Sequence, residues 1–252
     1  MSRPQQIALW VGLVLLLSSI SALATVSLSG TRLIFDGRFR EASLHVINRS
    51  KHPVLVQAWL AEPANVDGDP DAAGSDLPFV LTPHLSHLEQ GARRTLRVLY
   101  QGQGMAQDVE SLLHFYVLEI PRRVQGSNLL SIAIRQRINL FYRPPGLTDN
   151  PADTPYRLRW TLAKNGAEQA SLTVSNPTSY HAALQDVQLG GLAVSEYLLL
   201  APGASHVMPA PVISGSAGLS FKALNDYGGV RAFCAPGNGD GIYNTQYRQK
   251  DC

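Results

Sequence analysis

The sequence predicts an all-β protein with two β domains, and three observations lead to this prediction. From Thr25 onward the chain consists of short runs that alternate apolar and polar residues, the period-2 pattern of half-buried strands. A proline-rich segment at residues 143–155 interrupts these runs near the middle of the chain, and such a segment cannot form a central strand. The 252 residues also include 21 glycines and 16 prolines, a content typical of turn-rich β proteins.

The composition excludes several classes of protein. With 45% hydrophobic and 16% charged residues, the chain is neither a disordered polymer nor a repetitive fibrous protein. Its formal net charge of +2 lacks the basic excess that is typical of nucleic-acid binding. We therefore expect globular domains of ordinary size and no nucleic-acid partner.

The first 24 residues are predicted to be a signal peptide. Arg3 supplies a positive start, and residues 7–17 form an apolar run too short to span a bilayer comfortably. Residues 22–24 read Ala-Leu-Ala, the small-residue pattern of a cleavage site. We expect cleavage after Ala24 and export of the mature chain, and the alternative is an uncleaved anchor.

Two domains follow the signal peptide. We place the first at residues 25–145, where about seven runs match the strand count of an immunoglobulin-like sandwich. The second, at residues 146–252, is a shorter β domain that begins within the proline-rich linker. The predicted strands of the first domain are 28–35, 42–48, 53–60, 79–83, 92–100, 111–120 and 129–142. Those of the second are 156–162, 170–175, 182–189, 198–200, 205–208, 220–226 and 230–234.

Signatures of catalysis are missing from the sequence. It contains no G-x-S-x-G elbow and no glycine-rich phosphate loop. His84 and His87 have only Glu89 nearby as a further ligand, so exposed histidines are favoured over a zinc site. We expect no catalytic residues, no metal, no cofactor and no small-molecule substrate, although an enzyme on a secreted β-sandwich remains an alternative.

The two cysteines, Cys234 and Cys252, lie near the C-terminus. In an oxidising compartment such a pair predicts one disulfide bond. A redox or zinc site is the competing interpretation, but the spacing fits neither motif.

The run at residues 129–142 is unusual in its length and pattern. Its even positions are mostly aliphatic and its odd positions mostly polar, which places the two sets on opposite faces. An ordinary core strand is one interpretation. However, the run extends over nearly 14 residues, whereas ordinary strands have about 5–6. The excess would carry an apolar face beyond the core and invite pairing with a partner strand.

This run also carries a resemblance to a known family. Residues 128–144, NLLSIAIRQRINLFYRP, are similar to the last strand of the first domain in PapD-like periplasmic pilus chaperones. Four further segments match the same family in the correct order: 31–37 (TRLIFDG), 110–121 (ESLLHFYVLEIP), 175–184 (SNPTSYHAAL) and 224–229 (LNDYGG). The resemblance implies two immunoglobulin-like β-sandwich domains in a boomerang arrangement, with a cleft between them.

The function that the resemblance implies is that of an ATP-independent assembly chaperone of the bacterial periplasm, not an enzyme. Its partners would be pilus subunits, whose open groove it fills by donor-strand complementation, and an outer-membrane usher. A structural pilus subunit or adhesin is an alternative, but such proteins usually hold one domain and an N-terminal donor extension. Self-association that caps the free strand remains open.

The resemblance also assigns roles to particular residues. Leu130, Ile132 and Ile134 would be the donor side chains. Arg32 would bind the carboxylate at the C-terminus of the subunit, and the family's lysine partner is replaced here by Asn139. Arg137, on the same face as Asn139, is a candidate for the missing positive charge, as is Arg135.

A second set of residues matches the family's inter-domain ion network. It consists of Glu110, Arg143 and Asp226, and it would hold the two domains at a fixed angle. The alternative is three unrelated surface charges of little energetic value. Thr82-Pro83 matches a position where the family tends to have a cis proline.

Overall fold

The computed structural model describes residues 25–64, 77–122, 132–164, 169–213, 217–237 and 239–247. The predicted signal peptide, Leu130 and Cys252 lie outside the described residues. Within these ranges the chain is nearly all β, with one short α-helix and one short 3-10 helix. None of its described helices has the length and apolar character needed to cross a membrane.

The first half of the chain forms two sheets that enclose one core. Its strands are β1 (Val26–Leu28), β2 (Arg32–Asp36), β3 (Glu41–Asn48), β4 (Val54–Ala61), β5 (Phe79–Thr82), β6 (Leu85–Leu88), β7 (Arg93–Tyr100), β8 (Ser111–Pro121) and β9 (Ile134–Arg143). One sheet has the order β1-β3-β7-β5 and the other β2-β9-β8-β4-β6. Alternate residues of both sheets, among them Phe35, Phe115 and Leu140, meet in the core.

The predicted strand at residues 28–35 is wrong, because the structure contains two strands there. β1 pairs with β3 in one sheet, and β2 pairs in parallel with β9 in the other. Ser29 to Thr31 connect them, and a Cβ atom on Gly30 would lie only 3.1 Å from the carbonyl oxygen of Arg32. A side chain at residue 30 would therefore crowd the backbone where the chain crosses from one sheet to the other.

The predicted run at residues 129–142 is also too long at its start. β9 begins at Ile134, and Ile132 precedes the paired strand. In contrast, the predicted strands do not include residues 85–88, which form β6. It forms because Ser86 and Leu88 turn inward and are buried while the strand pairs with β4. The Thr82–Pro83 peptide bond is cis, as predicted.

The second half of the chain forms another pair of sheets. After the helix α1 (Thr154–Arg157), its strands are β10 (Arg159–Lys164), β11 (Ala170–Ser175), β12 (Ala182–Leu189), β13 (Leu192–Leu200), β14 (Ser205–Ala210), β15 (Leu219–Leu224), β16 (Val230–Ala235), β17 (Ile242–Tyr243) and β18 (Gln246–Tyr247). The sheet orders are β14-β11-β10-β17 and β13-β12-β15-β16-β18. Trp160, Phe221 and Phe233 are central to the core between them.

Two predictions in the second half need correction. The run predicted as a strand from residue 156 begins with α1, because Pro155 occupies one of the first helical positions, where a missing N–H costs nothing. The strand predicted at 198–200 extends back to Leu192, since it pairs with β12 along almost its whole length. Its outward side chains are exposed, so the hydrophobic pattern alone did not indicate it.

Candidate functional site

A cleft between the two halves of the chain contains the arginine that the sequence singled out. Arg32 begins β2, and its neighbour in the sheet is β9. The cavity has a volume of about 290 Å³ and is open to one side. Its lining includes Arg32, Phe141 and Arg143 from the first half and Asp226 and Tyr227 from the second. Both domains therefore contribute to the walls.

The Arg32 side chain is a poorly satisfied cation. Its Cζ atom lies 5.7 Å from the centre of the Phe141 ring, and its Nε is buried without a hydrogen-bond partner among the described residues. Burial lowers the pKa of Arg32 from its ordinary value, while the negative charges of Asp226 and Glu110 partly oppose this effect. Because arginine stays protonated in proteins, its donors are available to an anion that enters the cleft.

Asn139 is the register partner of Arg32 on β9 and of His114 on β8. It is partly buried, whereas Arg137 and Arg135, farther toward the start of β9, are exposed. The Cζ atom of Arg135 lies 5.5 Å from the centre of the Tyr116 ring. On this face of β9 the neutral Asn139 therefore lies at the cleft, and the two arginines lie farther from it along the strand.

One backbone edge of β9 is open over half of the strand. β8 pairs with β9 from Ile134 to Tyr142, but β2 covers only residues 139–143 on the other side. Among the described strands, none pairs with residues 134–138 on that edge. The row of alternate residues that reaches the core at Ile138 and Leu140 continues to Ile134, which is 39% exposed. Ile132, just before the strand, is 63% exposed.

The three charged residues predicted to form an ion network lie together where the two halves meet. Arg143 Nε donates to Glu110 Oε2 at 2.6 Å, and its two terminal nitrogens donate to the Asp226 carboxylate at 2.6 and 2.7 Å. Burial would lower the pKa of Arg143, but the hydrogen bonds and charges of Asp226 and Glu110 outweigh it and raise that pKa. The geometry is that of a bidentate, charge-assisted bridge.

His181 joins this network, although it was not among the predicted site residues. Glu110 Oε1 accepts a hydrogen bond from the His181 backbone nitrogen at 2.9 Å, and His181 Nδ1 lies 3.0 Å from the same oxygen. The imidazole ring also packs against Phe141, with 5.2 Å between ring centres. Its only sequence signal was its position in the matched segment 175–184, because a single histidine between strands has no motif of its own.

Cys234 is disulfide-bonded. It lies in β16 and is buried, with 1% of its surface exposed. The predicted partner, Cys252, is outside the described residues, and the pairing of these two cysteines stays a prediction.

Two sandwiches, a cationic cleft between them and an apolar strand with an open edge define a class of protein that binds an extended partner segment by adding a strand. Comparison with known families is specific. The family description "Pili and flagellar-assembly chaperone, PapD N-terminal domain" matches residues 25–148, and "Pili assembly chaperone PapD, C-terminal domain" matches residues 153–234. The chain therefore belongs to the PapD-like family of pilus assembly chaperones.

Individual relatives agree with this assignment. The chain is 34% identical over 225 residues to the probable fimbrial chaperone YadV of Escherichia coli (strain K12). The aligned region covers 84% of this chain and 89% of the relative. It is 33% identical to the chaperone protein FimB/FhaD of Bordetella pertussis, over 85% of this chain and 89% of the relative. The structure of the Salmonella enterica SafA pilin in complex with the SafB chaperone matches with a TM-score of 0.72 and 26% identity, covering 86% of this chain and 98% of the matched chain.

Proposed function

We propose that this protein captures pilus subunits in the bacterial periplasm by donor-strand complementation and passes them to an outer-membrane usher, without enzymatic activity. The observation that carries the proposal is the open edge of β9, which continues the core-facing row into exposed Ile134 and Ile132. The solved complex of a related chaperone with a pilin supports the kind of partner. Neither a pilus subunit nor a secreted enzyme is favoured, since the relatives are chaperones.

Binding begins with the backbone of β9. Along residues 134–138, where no described strand covers this edge of β9, the backbone would pair with a strand of the subunit and set its register. Ile132 and Ile134, with Leu130 ahead of them, would then enter the groove of the incomplete subunit. Burial of each such side chain contributes about 1.5–3 kcal/mol before ordering costs are subtracted.

The cleft supplies the second contact. Arg32 Nε lacks a hydrogen-bond partner among the described residues, and the terminal carboxylate of the subunit would accept from the guanidinium that lines the cleft. Asn139, its neighbour, can donate a neutral hydrogen bond. Arg137 would contribute charge from the edge of the site, because it is exposed and lies on the same face.

The ion network gives this arrangement its fixed geometry. Arg143 links Glu110 of the first domain to Asp226 of the second, so the cleft and the open strand edge keep one spacing. A subunit that reaches both β9 and Arg32 requires that spacing. Pre-organisation of this kind lowers the entropic cost of binding.

Co-expression with a pilus subunit encoded beside the chaperone gene tests the proposal. Ile132→Asp should abolish recovery of the subunit while the chaperone itself stays folded, because Ile132 precedes β9 and is 63% exposed. Val207→Asp is the matched control, since Val207 is 62% exposed in the second domain. Normal capture by Ile132→Asp, or equal loss in both variants, would contradict the proposed role of β9.

A further inference from the structure

Glu119 is a buried carboxylate that the described residues satisfy only in part. It lies near the end of β8, is 3% exposed, and pairs in register with Ile134 at the start of β9. The Thr25 hydroxyl donates to its Oε1, whereas Oε2 is buried and has no hydrogen-bond partner in the described part of the chain. A buried carboxylate with one neutral donor is costly unless it gains a cation or a proton.

The backbone of Thr25 is held next to this carboxylate. The Thr25 carbonyl accepts from the Arg49 nitrogen at 2.6 Å, and the following carbonyl, that of Val26, accepts from the Gln136 side chain at 2.8 Å. Val26 itself is completely buried. The Thr25 nitrogen is three covalent bonds from its own hydroxyl oxygen, so it lies within about 4 Å of the atom that contacts Glu119.

We propose that cleavage after Ala24 creates an α-ammonium group at Thr25 that forms an ion pair with Glu119. In the precursor this nitrogen is a neutral amide with a single N–H. In the cleaved chain it carries a positive charge and three N–H donors. One of these donors would form a hydrogen bond with Oε2. The inference rests on the export that the proposed function includes, and it makes removal of the leader a step that completes the first domain.

The location of this pair gives it a consequence for the donor strand. Glu119 and Ile134 are direct neighbours across β8 and β9, and Gln136 contacts Val26 beside them. Processing would therefore stabilise the end of β9 at which the exposed donor residues begin. The precursor, which lacks the ammonium group, would hold this end less firmly.

The charged groups on the elements that contact Thr25 are few. Glu119 faces it from β8, and Arg49 follows β3, where its guanidinium donates to the Ser27 hydroxyl at 3.3 Å. Gln136 faces the same region from β9 and is uncharged. The acid therefore favours the ammonium form, and the arginine opposes it more weakly because Arg49 is exposed and water screens its charge.

The α-amino pKa of the mature protein tests the ion pair. Protein is taken from the periplasm, its first residue is established by intact mass, and the amino group is titrated by NMR. We expect its pKa at least one unit above the ordinary value of about 7.7–8.0. Glu119→Gln should return it to that range, whereas Thr25→Ala, which keeps the amine and loses the hydroxyl, should leave it raised.

A second measurement covers the case in which Glu119→Gln fails to fold. Insertion of one glycine before Thr25 moves the amine away from the carboxylate, so the stability advantage of the mature chain should disappear. Since pairing raises the amine pKa on folding, this advantage is fully present below about pH 7.7 and is lost as pH rises through the folded-state pKa. An amine that titrates normally, an unchanged stability after the insertion, or cleavage at another residue would each overturn the proposal. Subunit capture measured on the same samples shows independently whether the proposed function holds.

Discussion

Arg32 and Asn139 are direct partners in the parallel pairing of β2 with β9, so their side chains leave the same face of the sheet at the cleft. One is a cation without a hydrogen-bond partner for its Nε among the described residues, and the other is a neutral amide. The site thus concentrates positive charge on a single side chain at this position. This asymmetry determines how the two residues should respond to mutation.

Replacement of Arg32 by alanine should weaken subunit binding far more than replacement of Asn139. Removal of the charged partner of a carboxylate inside the cleft weakens the free energy of binding by about 2–5 kcal/mol, whereas a neutral hydrogen bond contributes about 0.5–1.5 kcal/mol. If Arg137 supplies the missing charge, Arg137→Ala should fall between the two. Subunit affinity across the three variants checks the order, with Arg159→Ala, an exposed arginine of the second domain, as the control. Normal affinity of Arg32→Ala would reject the carboxylate anchor.

The variant Asn139→Lys should strengthen subunit binding. It adds a second positive charge next to Arg32, and a charge-assisted hydrogen bond is roughly twice as strong as a neutral one. We expect the affinity to rise by about fivefold, in line with the energy of one such bond. Asn139→Gln, which keeps the amide, should bind like the unmodified protein. Weaker binding by a folded Asn139→Lys protein would argue that the subunit terminus does not reach this position.

Loss of Glu110 should destabilise the protein more than loss of Asp226. The Glu110 side chain is 2% exposed and bonds both Arg143 and His181, while the Asp226 side chain is 34% exposed. Removal of one member of a buried ion pair lowers the free energy of unfolding by about 3–5 kcal/mol, and a more exposed ion pair contributes nearer 1 kcal/mol. Urea unfolding of Glu110→Gln and Asp226→Asn gives the comparison. Small-angle scattering should show a changed angle between the domains in both variants. An unchanged angle would contradict the proposal that the network fixes the domain arrangement.

Acid should destabilise the first domain partly through His114. His114 is 8% exposed as a residue, and burial, followed by the charge of Arg137, lowers its pKa below the ordinary value of about 6.5. Because the unfolded chain then binds a proton more readily, stability is full above pH 6.5 and is lost as pH falls toward the folded-state pKa. Unfolding free energies at pH 7.5 and 5.5 should differ less in His114→Tyr than in the unmodified protein. His206→Asn, at an exposed histidine, should not reduce the difference.

The pair Cys234 and Cys252 should be oxidised in exported protein. A bridge between them closes a loop of roughly 18 residues and stabilises the second domain by about 3 kcal/mol in the chain-entropy model. Thiol labelling of unfolded, unreduced protein should detect no free thiol, and reduction should expose two. Two reactive thiols before reduction would refute the pairing.

Much of the strand content could be predicted because alternation is a local property. Runs such as those that became β3, β7 and β11 show which residues face a core without any knowledge of the partner strand. The cleft residues Arg32 and Arg143 were predicted through matched segments rather than through chemistry. Neither has a motif that identifies a binding role from spacing alone.

The sequence by itself determined the all-β class, the family resemblance and the apolar row that ends in Ile132 and Ile134. Only the tertiary structure decided which strands pair, and hence that β2 leaves half of the β9 edge open. It likewise brought His181 to Glu110, residues 71 positions apart, and left one oxygen of Glu119 buried beside Thr25. The physical reason is that periodicity specifies a face, whereas pairing, burial and charge partners depend on residues distant in the chain.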